Sequence, residues 1–227
     1  MTTVEKIQVG TLTTECYGRI KDDILNKRIR WGQKLNVPEL TARFGISRSP
    51  VVKAIERLSH EGLVQIIPNR GSFVSAPTKR DIVEIAQVRI AFESMACELA
   101  FRRDKRALLN SQELNERSIT DYERKQQQIP EDVWFAYDRN FHRIFAEVAG
   151  NRRLLEIYEQ VRNQIELFRV FYGEGDALRA LELHREILTL LREDQLGDAL
   201  KVLRIHIEEV CEQTIDEFQR AMNEMGQ

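Results

Sequence analysis

Apolar residues recur at helical spacing through most of this chain, and the period changes to that of a strand in one short stretch. Leu12, Cys16, Ile20 and Ile24 form the first stripe, with Tyr17 and Leu25 beside it, and predict a helix over 13–27. A loop follows at 30–34, containing Gly32. Asn36 stands where it can cap a helix over 37–44 whose first turn holds Pro38, and Gly45 occupies the position that wants a left-handed residue. Ser47 is placed to cap the next helix, 48–61, with Pro50 in its first turn. Val51, Ala54, Ile55 and Leu58 make its inner face, and Gly62 closes it. Strands are then predicted over 63–67 and 72–75, joined by the turn Pro68-Asn69-Arg70-Gly71. After the linker Ala76-Pro77-Thr78 everything reads as helix: 79–103, 106–127, 131–149, 151–171, 177–192 and 196–222. Breaks fall at Pro130, at Gly150-Asn151, at Gly173-Glu174-Gly175 and near Gly197. There is no sequence repeat, and Gln126-Gln127-Gln128 is too short to form a low-complexity tract.

These elements predict a mainly α protein in two parts. Residues 1–77 form an N-terminal winged helix-turn-helix, and 78–227 a C-terminal antiparallel six-helix bundle with short connections. The turn Phe44-Gly45-Ile46-Ser47 is so brief that the two helices must cross steeply, which projects the second one outward. The first turn of such a helix meets base edges in the major groove of double-stranded DNA. Here it presents Ser47, Arg48, Ser49 and Lys53, and Arg48 suits a bidentate contact with guanine. Arg43 and Lys34 suit phosphates, and Arg70 at the hairpin tip suits the minor groove or the backbone.

Charge agrees with this placement. The net charge of −2 conceals 12 Lys and Arg against 7 Asp and Glu up to Pro77, and 22 against 29 beyond it, so the basic end carries the DNA motif. The hydrophobic fraction of 42% is ordinary for a soluble protein with a core. No apolar run approaches the length that spans a membrane, and the first 14 residues, with Glu5 and no continuous apolar core, do not read as a signal peptide. Cys16, Cys97 and Cys211 are three, far apart and without a metal-binding doublet, so each is expected as a small buried hydrophobe in a reducing cytoplasm.

Three of the four histidines and one aspartate lie downstream at telling intervals. Asp138 and His142 are four apart, one above the other on a single helix face. From His184 the chain runs about eight residues, roughly 12 Å, to a turn near Glu193, then back about ten residues, roughly 15 Å, to His206. Both imidazoles therefore reach nearly the same height on neighbouring antiparallel helices. Phe141, Phe145, Ile187, Leu188, Leu203, Ile205 and Ile207 surround them, as expected for inward positions. Three imidazoles and a carboxylate suit a borderline divalent ion, zinc foremost, with nickel or manganese as alternatives. Arg89 sits mid-helix among apolar residues, and a buried guanidinium needs an anion. Glu93, four residues on, is one candidate partner, and an external carboxylate is another.

The run Gly45-Ile46-Ser47-Arg48-Ser49-Pro50-Val51, then Glu61-Gly62-Leu63-Val64, then Asn69-Arg70-Gly71-Ser72-Phe73-Val74 resembles the GntR family of bacterial regulators. The remaining two thirds resemble its FCD subgroup, named for the FadR C-terminal domain. The FCD pattern supplies the same four metal positions, Asp138, His142, His184 and His206. It also places Arg89 at a pocket for a small organic acid held against the metal. Glu93, Arg143 and Asn163 are further effector-binding candidates read from the residues themselves. The chain departs from the pattern at Val52 and Lys53, where the family has an arginine and then an acid, at Val37-Pro38, where an acid is common, and at Leu183, where an acid often precedes the histidine.

Together the residues and the resemblance imply a homodimeric, cytoplasmic transcription regulator, read as a repressor. It would bind a DNA operator and answer to a small carboxylate in a metal-containing helical pocket. Two other classes follow from the same residues. The ion itself could be the signal. A metal-dependent hydrolase would instead need a general base such as Glu93, but no nucleophile motif, phosphate loop or lid accompanies the site, so an enzyme is not expected.

Overall fold

The structure, a computed structural model, describes residues 9–125, 127–172 and 176–225; the predicted break at Gly173-Glu174-Gly175 and the residue Gln126 lie outside them. The chain divides into two compact units, Met1–Thr78 with Arg162–Phe171, and Lys79–Val161 with Tyr172–Gln227.

The first unit contains α1 (Val9–Leu25), β1 (Lys34–Leu35), α2 (Val37–Phe44), α3 (Arg48–His60), β2 (Val64–Ile67) and β3 (Gly71–Val74). Its helix ends follow local chemistry. The Asn36 side chain accepts a hydrogen bond from the Glu39 amide, and Pro38 sits in the first turn of α2. Gly45 ends that helix in the left-handed region at φ 65°, its amide donating to Thr41 O. Ser47 occupies the cap position of α3 but makes no side-chain cap bond, so its hydroxyl is not committed to the helix.

The strands form an antiparallel sheet in the order β1-β3-β2, with Val64 opposite Val74 and Ile67 opposite Gly71. The third strand corrects the loop predicted at 30–34. Lys34 pairs with Phe73 and Leu35 with Ser72, while the Gly32 amide donates to Val74 O. Two residues are too few for alternation to be read from sequence, and the partner strand supplies the order. Gly71 is required at the wing: its φ is 117°, and a Cβ there would lie 2.8 Å from Lys34 Cε.

The core of this unit joins Cys16, Ile20 and Ile24 of α1 to Val51, Ala54, Ile55 and Leu58 of α3, with Leu40, Leu63, Val64, Val74 and Leu167. A buried carboxylate completes it. Asp23 accepts from Arg28 Nε and from Arg43 Nη1, both at 2.6 Å. Burial would push the Asp23 carboxyl up, but these two hydrogen bonds prevail and hold it below its ordinary value. Asp23→Asn is therefore expected to destabilise this unit by about 2 kcal/mol, as charged hydrogen bonds do when broken. Because the folded-state pKa is depressed, the wild-type advantage should be full above the ordinary carboxylate range and lost as pH falls from that range through the depressed folded-state value. Urea titrations of both chains between about pH 7 and pH 3 check this. A difference that does not change with pH would show that the charge is not what holds the contact.

The second unit is helical. α4 (Lys79–Arg124) is continuous in outline but bends at Asp104, whose φ −157° and ψ 80° are not helical. Asp104 Oδ1 accepts from the Ala107 amide at 2.8 Å, restarting the helix where the sequence predicts a break. Then come α5 (Glu131–Val148), α6 (Arg152–Tyr172), α7 (Ala177–Arg192) and α8 (Leu196–Met225). Asp176 caps α7 by accepting from the amides of Leu178 and Arg179. Asp194 takes a left-handed turn at φ 61°, and α8 returns along α7, as the contacts Asp176 to Gln213, Arg179 to Glu209 and His184 to His206 record. α4 packs on α5 and α8. Cys16 and Cys97 are buried as expected, whereas Cys211 is only half-buried. No helix among the described residues is long and apolar enough to cross a membrane.

Candidate metal centre and nucleic-acid interface

Asp138, His142, His184 and His206 come together in the core of the second unit, each at most 3% exposed, with one ligand atom apiece all within 4.8 Å of one another. α5 carries the first two on one face, and α7 and α8 bring the others to equal height through the turn at 193–195. His206 Nε2 lies 3.1 Å from His142 Nε2 and 3.3 Å from His184 Nε2. Asp138 Oδ1 is 3.5 Å from His184 Nε2 and 3.7 Å from His142 Nε2. A four-coordinate ion with bonds of about 2.0–2.1 Å has ligand–ligand edges of about 3.3–3.4 Å, so this donor set fits one. The Nε2 atoms of His142, His184 and His206 can share protons at these distances in one tautomer, and in the other they turn three lone pairs toward one point, where a cation can be held. Burial, and then the neighbouring His184 and His142, push the His206 imidazole well below its ordinary pKa and so favour its neutral, ligating form.

The surroundings fix the rings. Phe141 stacks on His184 with centroids 3.7 Å apart and planes 10° from parallel, and Trp134 and Tyr137 flank the same imidazole. Glu93 Oε2 lies 2.7 Å from His142 Nδ1, on the side of the ring away from the cluster, and Glu93 Oε1 accepts from Arg89 Nε at 2.7 Å. Burial works to raise the Glu93 carboxyl, but the Arg89 charge and the His142 ring outweigh it and hold it at about 2. A carboxylate behind a ligating histidine orients the ring and raises its basicity. The internal partner considered for Arg89 is thus the observed one, yet the guanidinium is not used up: its Nη2 lies 3.4 Å from His142 Nε2, at the edge of the cluster.

Two other predicted effector residues have partners of their own. Arg143 is half-exposed and paired with Glu147 and Glu159. Asn163 uses both ends of its amide on Lys21 and Glu61, inside the first unit. A helix position four or seven residues from an apolar one gives no sign of which neighbour it will meet. Sequence reasoning missed the Glu93 contact with His142 and the aromatic wall formed by Trp134 and Tyr137. Helical spacing could have placed the latter on the Asp138 face, but the former joins two helices and has no local signature.

In the first unit Ser47, Arg48, Ser49 and Lys53 are exposed together on the first turns of α3, and Arg70 is exposed at the wing turn. Lys34, on the neighbouring strand, lies 6.0 Å from the centre of the Phe73 ring. Arg43 is half-exposed but anchored to Asp23 through Nη1, so a phosphate contact would have to use the rest of the guanidinium.

An outward recognition helix, a basic wing and a second, helical unit define a helix-turn-helix regulator. A family model described as "Bacterial regulatory proteins, gntR family" matches residues 12–74, and one described as "FCD domain" matches residues 84–209. The chain belongs to the GntR family of bacterial regulators, in the subgroup with an FCD domain. It is similar to the HTH-type transcriptional repressor RspR of Escherichia coli, 29% identical over 211 residues that cover 87% of this chain and 86% of the relative. It is also similar to the HTH-type transcriptional regulator YdhC of Bacillus subtilis, 27% identical over 86% of this chain and 88% of that one. In fold it matches the crystal structure of a GntR regulator from Rhodococcus sp. RHA1 with a TM-score of 0.67, at 24% identity over 90% of this chain and 97% of that chain.

Proposed function

We propose that this chain is a homodimeric, cytoplasmic repressor whose DNA-binding part, 1–77, reads an operator under the control of 78–227. A small carboxylate bound against a divalent ion, zinc foremost, is the signal. The observation that carries this reading is the buried convergence of Asp138, His142, His184 and His206 with Arg89 Nη2 at its edge. A divalent ion there would supply a positive anchor for a small carboxylate. Arg89 would add a second, directional contact through Nη2 while Glu93 holds its Nε. Arg143 and Asn163 are left out of the effector site because their polar groups are engaged elsewhere. Control follows from linkage: a carboxylate that binds one conformation better than another shifts the DNA affinity by that difference in binding free energy.

One observation favours a second reading in which the ion alone is the signal. The four donors are almost fully buried and already reach the number that closes a four-coordinate site, and Arg89 already has a carboxylate partner in Glu93. Thermal unfolding of ion-loaded and chelator-stripped protein against a panel of small carboxylates separates the two. A carboxylate at about 100 times its Kd should stabilise the loaded protein by about 2.7 kcal/mol and leave the stripped protein unchanged. Stabilisation by the ion with no response to any acid would favour the ion as signal.

A further inference from the structure

The part of α6 over 162–171 is built into the DNA-reading unit, although it lies far along the chain from the rest of it. Leu167 is 1% exposed and joins the core with Ile20, Val51 and Leu58. One helical turn before it, Asn163 is 5% exposed; its Nδ2 donates to Glu61 Oε2 at 2.9 Å and its Oδ1 accepts from Lys21 Nζ at 2.7 Å. Glu61 is the residue that ends α3. Its carboxylate also accepts from Tyr17 Oη at 2.6 Å and from Arg57 Nε at 3.2 Å, and the Arg57 guanidinium lies 3.9 Å from the centre of the Tyr17 ring. Beside it Gly62, at φ 77°, leaves room for the Gln164 side chain, whose Nε2 would lie 2.5 Å from a Cβ at that position.

We propose that Asn163 is a positioning residue for DNA reading, clamping the end of the recognition helix through Glu61. α6 is then an element common to both units, since 152–161 belongs to the metal-bearing one. The inference rests on α3 being the recognition helix. Its physical basis is leverage. A 13-residue helix is about 20 Å long, so a tilt of about 10° about its pinned end moves Arg48 at the other end by about 3 Å. That is enough to lose a bidentate contact with a base edge.

The test uses the full chain. Asn163→Asp sets a carboxylate against Glu61, and the double variant Glu61→Gln/Asn163→Asp restores one donor and one acceptor to the contact. Amide hydrogen exchange over 52–63 is measured together with affinity for a duplex that the wild-type chain enriches from a random pool. Asn163→Asp should speed exchange over 52–63 at least about tenfold and weaken duplex binding at least about fivefold, as loss of a charge-assisted hydrogen bond does. Exchange in α5, α7 and α8 and the ion content should stay as in wild type, and the double variant should recover part of both losses, because Glu61→Gln restores the contact with position 163 but gives up the charge beside Arg57 and Lys21. Unchanged exchange in the single variant, no recovery in the double, or altered exchange with unaltered affinity would each overturn the proposal. A wild-type chain that enriches no duplex would overturn the DNA reading itself, while the exchange measurement still decides whether Asn163 holds the helix.

Discussion

His184→Ala should abolish stabilisation by divalent ions. The variant removes one of three converging nitrogens from a closed set of four, and its ion affinity is expected to fall by more than about a hundredfold, beyond what loss of an outer partner costs. At an ion concentration of about 1,000 times the wild-type Kd, binding contributes about 4 kcal/mol, which the variant loses. For a chain of this size that is a fall of roughly 8–16 °C in the melting temperature of the loaded protein. The chelator-stripped proteins should differ less, because the ion's contribution is then absent from both. Removing His184 opens a void beside Phe141 and Trp134 and loses its contact with His206 Nε2 at 3.3 Å, a cost present with and without the ion. The diagnostic is therefore the gap between loaded and stripped melting temperatures, read by calorimetry with ion content measured in parallel. A variant with the wild-type gap and a full equivalent of ion would remove His184 from the site.

Arg48→Ala carries the second large effect. Arg48 opens α3 and is exposed, beside the uncommitted hydroxyl of Ser47. Loss of a bidentate contact with guanine costs about 1–3 kcal/mol, or roughly 5- to 150-fold in operator affinity, and relaxes discrimination at one base position. Arg70→Ala, at the wing turn, should instead weaken all sequences alike and reduce the salt dependence of binding by about one phosphate contact. Titrations of the selected duplex and of single-base variants at two salt concentrations distinguish the two patterns. Undiminished affinity and unchanged base preference for Arg48→Ala would exclude it from base reading. Because Arg43 is tied to Asp23, its replacement combines a lost phosphate contact with damage to the join of α1 and α2, and its DNA effect has to be read against its stability.

Periodicity and capping residues alone determined where most helices lie, because those signals are local: an apolar stripe every third or fourth residue, Asn36 at a helix start, Gly45 at an end. Even the kink at Asp104 falls where the helical pattern lapses. The convergence of Asp138, His142, His184 and His206 was legible for a related reason. An i, i+4 pair on one helix and two histidines at matched distances from a turn fix relative heights through helix rise alone, without knowledge of the packing.

Tertiary structure decided the partners. Glu93 meets His142 from another helix, Asp23 gathers Arg28 and Arg43, and Asn163 reaches Glu61 and Lys21 across 102 and 142 residues of sequence. β1 exists as a strand because β3 completes its hydrogen bonds. A side chain's own neighbours in sequence set its direction on a helix. Which charge or amide it finds there depends on how separate elements pack, and burial then makes that partner obligatory by penalising any polar group left without one.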